Sequence, residues 1–72
     1  MLDRGTLVAM LTATEESIVA GTRLIEEQEL RIASLRRAGL DAFEAEGVLA
    51  TLLETQRLHE QHRARLKREL GK

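Results

Sequence analysis

The sequence predicts an all-α fold: an antiparallel two-helix hairpin, coiled-coil-like in its packing, that dimerises into a four-helix bundle. Three observations carry that reading. The 72 residues include no Pro, Trp or Tyr and only one Phe, Phe43, and they are rich in the Ala, Leu, Glu and Arg that favour helix over strand. Apolar residues recur at alternating spacings of four and three, the signature of one helical face. A single interruption, Arg36-Arg37-Ala38-Gly39-Leu40-Asp41-Ala42-Phe43-Glu44, separates two such stretches. The chain is thus expected to be one domain over 1–72, with helices near 6–38 and 42–69 and a turn at 39–41.

In the first helix one column collects Leu11, Ile18, Ile25 and Ile32, and its neighbour collects Leu7, Thr14, Gly21, Gln28 and Leu35. Four heptads of that pattern suit knobs-into-holes packing. Met10 and Leu24 flank the stripe and widen it. Gly21 costs about 1 kcal/mol relative to Ala in a helix interior without breaking it. Thr12-Ala13-Thr14-Glu15 has capping-box spacing, which leaves open a helix start there with residues 1–11 as a separate turn.

The turn holds both stop and start signals. Gly39 suits the left-handed position just past a helix C-terminus, and Leu40 can then fold back toward Leu35. Asp41 and Glu44 have capping-box spacing for the next helix, with Asp in the usual Ser/Thr place. The second helix gathers Ala45, Val48, Leu49, Leu52, His59, Leu66 and Leu70 on one face, widened by Leu53 and Leu58.

From both helices, Leu7, Leu11, Ile18, Ile25, Ile32, Leu35, Leu49, Leu52, Leu66 and Leu70 form the expected packing and dimer seam. A hairpin alone has no third element to cover its flanks, and short chains bury too little surface to be secure. A homodimer is therefore the expected assembly, with another protein docked on a helical face as the other way to cover the surplus. Val19 and Leu30, off the seam, are the candidates for a partner-facing patch.

The formal net charge of −1 conceals order along the chain. Residues 1–30 carry six acids and two bases, 31–40 three arginines, 41–54 four acids, and 55–72 six bases against two acids. Acids precede bases along each helix, the order that complements the helix dipole. The hairpin is expected to set Glu15, Glu16, Glu26 and Glu27 beside the basic stretch from Arg57 to Arg68 for mutual neutralisation.

Pairing residues symmetrically about Leu40 puts Gly21 opposite His59, Gln28 opposite Leu52, Ile18 opposite His62 and Ile25 near Gln56. The seam then contains a polar layer that fixes register, with Gly21 making room for the His59 ring. Its functional reading is a recognition or proton-sensitive site, since histidine titrates near neutrality.

Catalytic chemistry finds little support. His59 and His62 share a helical face, but two histidines fall short of the three or four ligands zinc takes. Ser17 and Ser34 have no His nearby in sequence, there is no Cys, and the five glycines are scattered rather than gathered in a phosphate loop. No enzyme activity, metal or cofactor is expected. Arg57, Arg63, Arg65, Lys67 and Arg68 could meet phosphate, making a nucleic-acid-associated factor the alternative function. The acidic balance and missing aromatics count against it. No run is long and apolar enough for a membrane span, and Met1-Leu2-Asp3-Arg4 lacks the features of a secretory signal, so a soluble, cytoplasmic protein is expected.

The segment Gly21-Thr22-Arg23-Leu24-Ile25-Glu26-Glu27-Gln28, the turn Gly39-Leu40-Asp41, and the tail Leu58-His59-Glu60-Gln61-His62-Arg63 carry a resemblance. The chain resembles a group of small uncharacterised helical proteobacterial proteins with a Gly-x-Arg-x-Ile-x-x-Gln segment, a Gly-x-Asp turn and a His/Arg-rich tail. The resemblance covers about residues 15–70 and brings no activity with it. It implies that Arg23, Gln28, His59 and His62, the candidate polar site, are to be tested as a unit, and it assigns them no catalytic role. The expected function is a non-enzymatic protein–protein interaction or regulatory adaptor module working through a helical face.

Overall fold

A computed structural model describes residues 2–72. Two helices, α1 (Arg4–Arg37) and α2 (Phe43–Leu70), lie antiparallel in a hairpin 53 Å long and 14 Å across. The first helix begins earlier than the sequence reading places it, because Asp3 is its N-cap. The Asp3 carboxylate accepts the Thr6 backbone N–H at 2.7 Å, satisfying one of the free donors of the first turn. Thr12-Ala13-Thr14-Glu15 starts nothing: the helix runs through it, and the Thr14 hydroxyl donates back to the Met10 carbonyl at 2.8 Å. That bond lets Thr14 sit buried in the seam.

The turn closes through backbone bonds. Gly39 has φ +72°, the Gly39 N–H donates to Arg36 O at 3.0 Å, and the Leu40 N–H donates to Leu35 O at 2.9 Å. Those two bonds define a Schellman cap, which a side chain at position 39 would strain. The Leu40 side chain, expected against Leu35, stays 60% exposed. The capping box expected of Asp41 and Glu44 does not form. Asp41 instead accepts the Phe43 N–H at 2.9 Å, and Ala42, at φ −103° and ψ 8°, takes the cap position. Starting one residue late moves Glu44 out of the third helical position, from which it would have bonded back.

Residues that lose water exposure on α1 fall at Leu7, Met10, Leu11, Thr14, Ile18, Gly21, Ile25, Gln28, Ile32, Ala33 and Leu35, and from the Ala42 cap along α2 at Ala42, Ala45, Leu49, Leu52, Gln56, His59, His62, Arg63, Leu66 and Leu70. Apart from Met10, Ala33 and His62, both series alternate by four and three. Val48, read into that face from the sequence, is half exposed instead. Among the described apolar residues only Ile32, Ala42 and Leu66 are buried. The helices do not pair symmetrically about Leu40. Gln28 Nε2 donates to Ala45 O at 2.9 Å, Gln56 Nε2 reaches Ile18 O at 2.9 Å, and Arg4 donates to Leu70 O at 3.1 Å. Extended turn residues advance about 3.3 Å each against about 1.5 Å in a helix, so α2 starts one to two turns further down α1 than residue counting suggests.

Candidate functional site

The shift in pairing dissolves the proposed polar unit. Gln28 is engaged with the Ala45 carbonyl near the turn. His59 sits in the other half of the hairpin, about 20 Å along the axis at 1.5 Å per residue. His62 is half-buried nearby, while Arg23 is exposed on the outer surface of α1 with Thr12, Glu15, Glu16 and Val19. These four side chains form no common site. Gly21 makes room for Gln56 rather than for His59. Gln56 Nε2 donates to Ile18 O and, at 3.0 Å, to Thr22 Oγ1, which lays its amide over the Gly21 backbone. The Nδ1 of His59 is buried without a hydrogen-bond partner.

Charges are arranged otherwise than the sequence suggests. Among the described residues the ion pairs are Arg36 with Glu46, and Glu69 with Lys72 at 3.1 Å. Glu15, Glu16, Glu26 and Glu27 make no ion pair with Arg57, Arg63, Arg65, Lys67 or Arg68. The shifted register is the reason: the basic run 63–68 lies beside residues 5–14 of α1, which carry no charge. The open end, residues 1–14 and 57–72, has seven bases against three acids, a balance of +4; residues 15–56 have nine acids against four bases, a balance of −5. The hairpin is electrically a rod with a positive open end and a longer negative stretch that runs to the turn.

Its two long sides also differ. One side is marked by Gln56 reaching Thr22 and by the Arg36–Glu46 pair. The columns there, at seven-residue spacing, are Glu15, Thr22, Glu29 and Arg36 on α1 and Glu46, Leu53, Glu60 and Lys67 on α2. The other side is grooved. Ser17, Ala20, Gly21 and Leu24 face Thr55 and His59 across one groove, and Gln28 and Arg31 face Asp41, Glu44, Ala45 and Val48 across a second, nearer the turn. On this side Met10, Ala13, Ser17, Ala20 and Leu24 follow one another along α1 without a charge, as do Val48, Thr51, Thr55, Leu58 and His62 along α2.

Sequence reading noticed Met10, Leu24 and Leu58 as flanking residues but not that they share a side. The signal lay in the seven-residue columns next to the seam. The two residues it put forward for a partner, Val19 (66% exposed) and Leu30 (71%), are at the surface. Arg23, Glu26 and Glu27 lie between them on that helical face, so they form no continuous apolar patch.

No group of three His, Cys, Asp or Glu among the described residues converges as a metal-holding set, and no described helix is long and apolar enough to cross a membrane. Comparison with protein-family models, with curated proteins and with solved structures gave no match.

Proposed function

We propose that this chain is a non-enzymatic interaction module, a regulatory adaptor that binds another protein through a helical face, and that it works in the cytoplasm as a homodimeric, coiled-coil-like four-helix bundle. The observation that supports this is the imbalance between buried and exposed apolar surface. Among the described residues ten large apolar side chains are exposed, against three buried apolar residues. The hairpin exposes 5566 Å², whereas a compact 8.1 kDa monomer exposes about 4,500 Å². That surplus of about 1,100 Å² per chain is of the size one partner contributes to a stable interface. Kinship with the small helical proteobacterial proteins belongs to the same proposal and rests on the Gly21–Gln28 segment, the turn and the tail.

Light scattering over a hundredfold concentration range tests the assembly. A molar mass of twice 8.1 kDa is expected; a monomer throughout would leave the apolar surface to a different protein and overturn the homodimer. One observation favours the alternative, a nucleic-acid-associated factor: Arg57, Arg63, Arg65, Lys67 and Arg68 make no ion pair within the hairpin. Salt-dependent retention of a DNA probe that disappears in Lys67→Gln/Arg68→Gln, with dimer mass intact, would establish that reading.

A further inference from the structure

We propose that the grooved side of the hairpin, uncharged only along its middle, is covered by a second copy of this chain, with the two hairpins antiparallel, α1 against α1 and α2 against α2. The inference rests on the homodimer proposed above and specifies its face and direction.

Two symmetric ways exist to lay one hairpin on another by the same face. A two-fold axis along the helices sets turn beside turn and α1 against α2. An axis across the helices sets each turn beside the other copy's open end. Charge decides between them. Turn beside turn brings the two −5 stretches together and the two +4 ends together. A crossed axis at Ser17 and Thr55 lays each +4 end on residues 20–33 and 38–53 of the second copy, where six acids stand against two bases, and like-charge juxtaposition is the stronger discriminator in such interfaces.

The residue pattern is self-complementary about such an axis. Ser17 and Thr55 line one groove and lie near the middle of the uncharged side. Seven residues outward on α1, Met10 meets Leu24 of the second copy; seven outward on α2, Val48 meets its His62. Fourteen outward on α1, Asp3 meets Arg31, and at the edge of the α2 stripe Glu44 meets Arg65. Each charged pair occurs twice by symmetry. Fourteen residues outward from Thr55, Asp41 in the turn comes toward Glu69, a like-signed pair, and Glu69 is already held by Lys72 at 3.1 Å. Ala13, Ser17 and Ala20 are small, so the two α1 helices can approach closely at the middle of a contact that runs from Asp3 to Arg31, about 42 Å.

The chain has no Cys, so single cysteines can be placed freely and joined with a short bis-maleimide. Ser17→Cys and Thr55→Cys are each expected to give covalent dimers. Thr22→Cys and Leu53→Cys, on the other side, are expected to give none at the same concentration. Glu44→Arg or Arg65→Glu alone should weaken the dimer about tenfold, and the double variant should recover it. A dimeric mass with linkage through Thr22→Cys or Leu53→Cys would overturn this face while leaving the homodimer standing. Linkage only in the Ser17→Cys/Thr55→Cys double variant would show turn beside turn and overturn the direction. A monomeric mass would overturn the homodimer itself.

Discussion

The Gln56 amide lies across the backbone of Gly21, where its Oε1 fills the space a Cβ would need. From there Nε2 reaches both Ile18 O and Thr22 Oγ1, so one side chain of α2 is clamped over a whole turn of α1. Gly21 is therefore a close-approach residue, and its cost in helix propensity is offset by the contact it permits. Gly21→Ala is expected to gain nothing in the native chain, because about 1 kcal/mol of propensity is set against displaced hydrogen bonds of similar size. In a Gln56→Ala background the same change should stabilise by about 1 kcal/mol. A double-mutant cycle by urea unfolding measures the coupling, and additive effects would show that the amide does not depend on the glycine.

His59 holds a seam position, yet its Nδ1 is buried without a partner. An orphaned buried polar atom costs about 1–3 kcal/mol. His59→Leu is therefore expected to raise the unfolding midpoint by several degrees, about 4–8 °C per kcal/mol for a chain this size. A lower midpoint would mean that the imidazole has a polar partner in the assembled protein.

Acid should loosen the start of α1 first. The Thr6 backbone N–H, together with the Thr6 hydroxyl, holds the Asp3 carboxyl below its ordinary 3.8. A depressed carboxyl contributes stability above its unfolded value and loses it as pH falls through the folded one. Protection of the Thr6 amide from exchange should thus hold at neutral pH and fade only below about pH 4. Asp3→Ala should lack that protection and its pH dependence at any pH.

Gly39 is the turn residue with the least freedom to change. At φ +72°, Gly39→Ala should cost about 1–2 kcal/mol without altering the helical content of either arm. A neutral result by thermal unfolding would show that the turn can be rebuilt in another geometry.

The hairpin was legible because its signals are local. Period, composition and a left-handed glycine each act within a few residues, and the ten residues that spacing gathers into the seam are each buried or half-buried in the hairpin. The pairing across the helices was not legible, since it depends on how far an extended turn advances. Taking that turn as symmetric misplaced Gln28, Gln56 and His59, and with them the polar layer and the acid–base facing of the helices. Asp3 was overlooked although Asp3-Arg4-Gly5-Thr6 offers an N-cap of ordinary type. The uncharged side was implicit in the columns next to the seam, but only the grooves show which column of α1 lies beside which of α2.

The surface that holds two copies together is the central claim, and a matched pair of charge insertions tests it most directly. Leu24 and Leu30 are both exposed apolar residues of α1, the first on the uncharged side and the second away from it. Molar mass by light scattering should show Leu24→Glu as a monomer and Leu30→Glu as an undisturbed dimer. A dimer that survives Leu24→Glu and dissociates with Leu30→Glu would contradict the account.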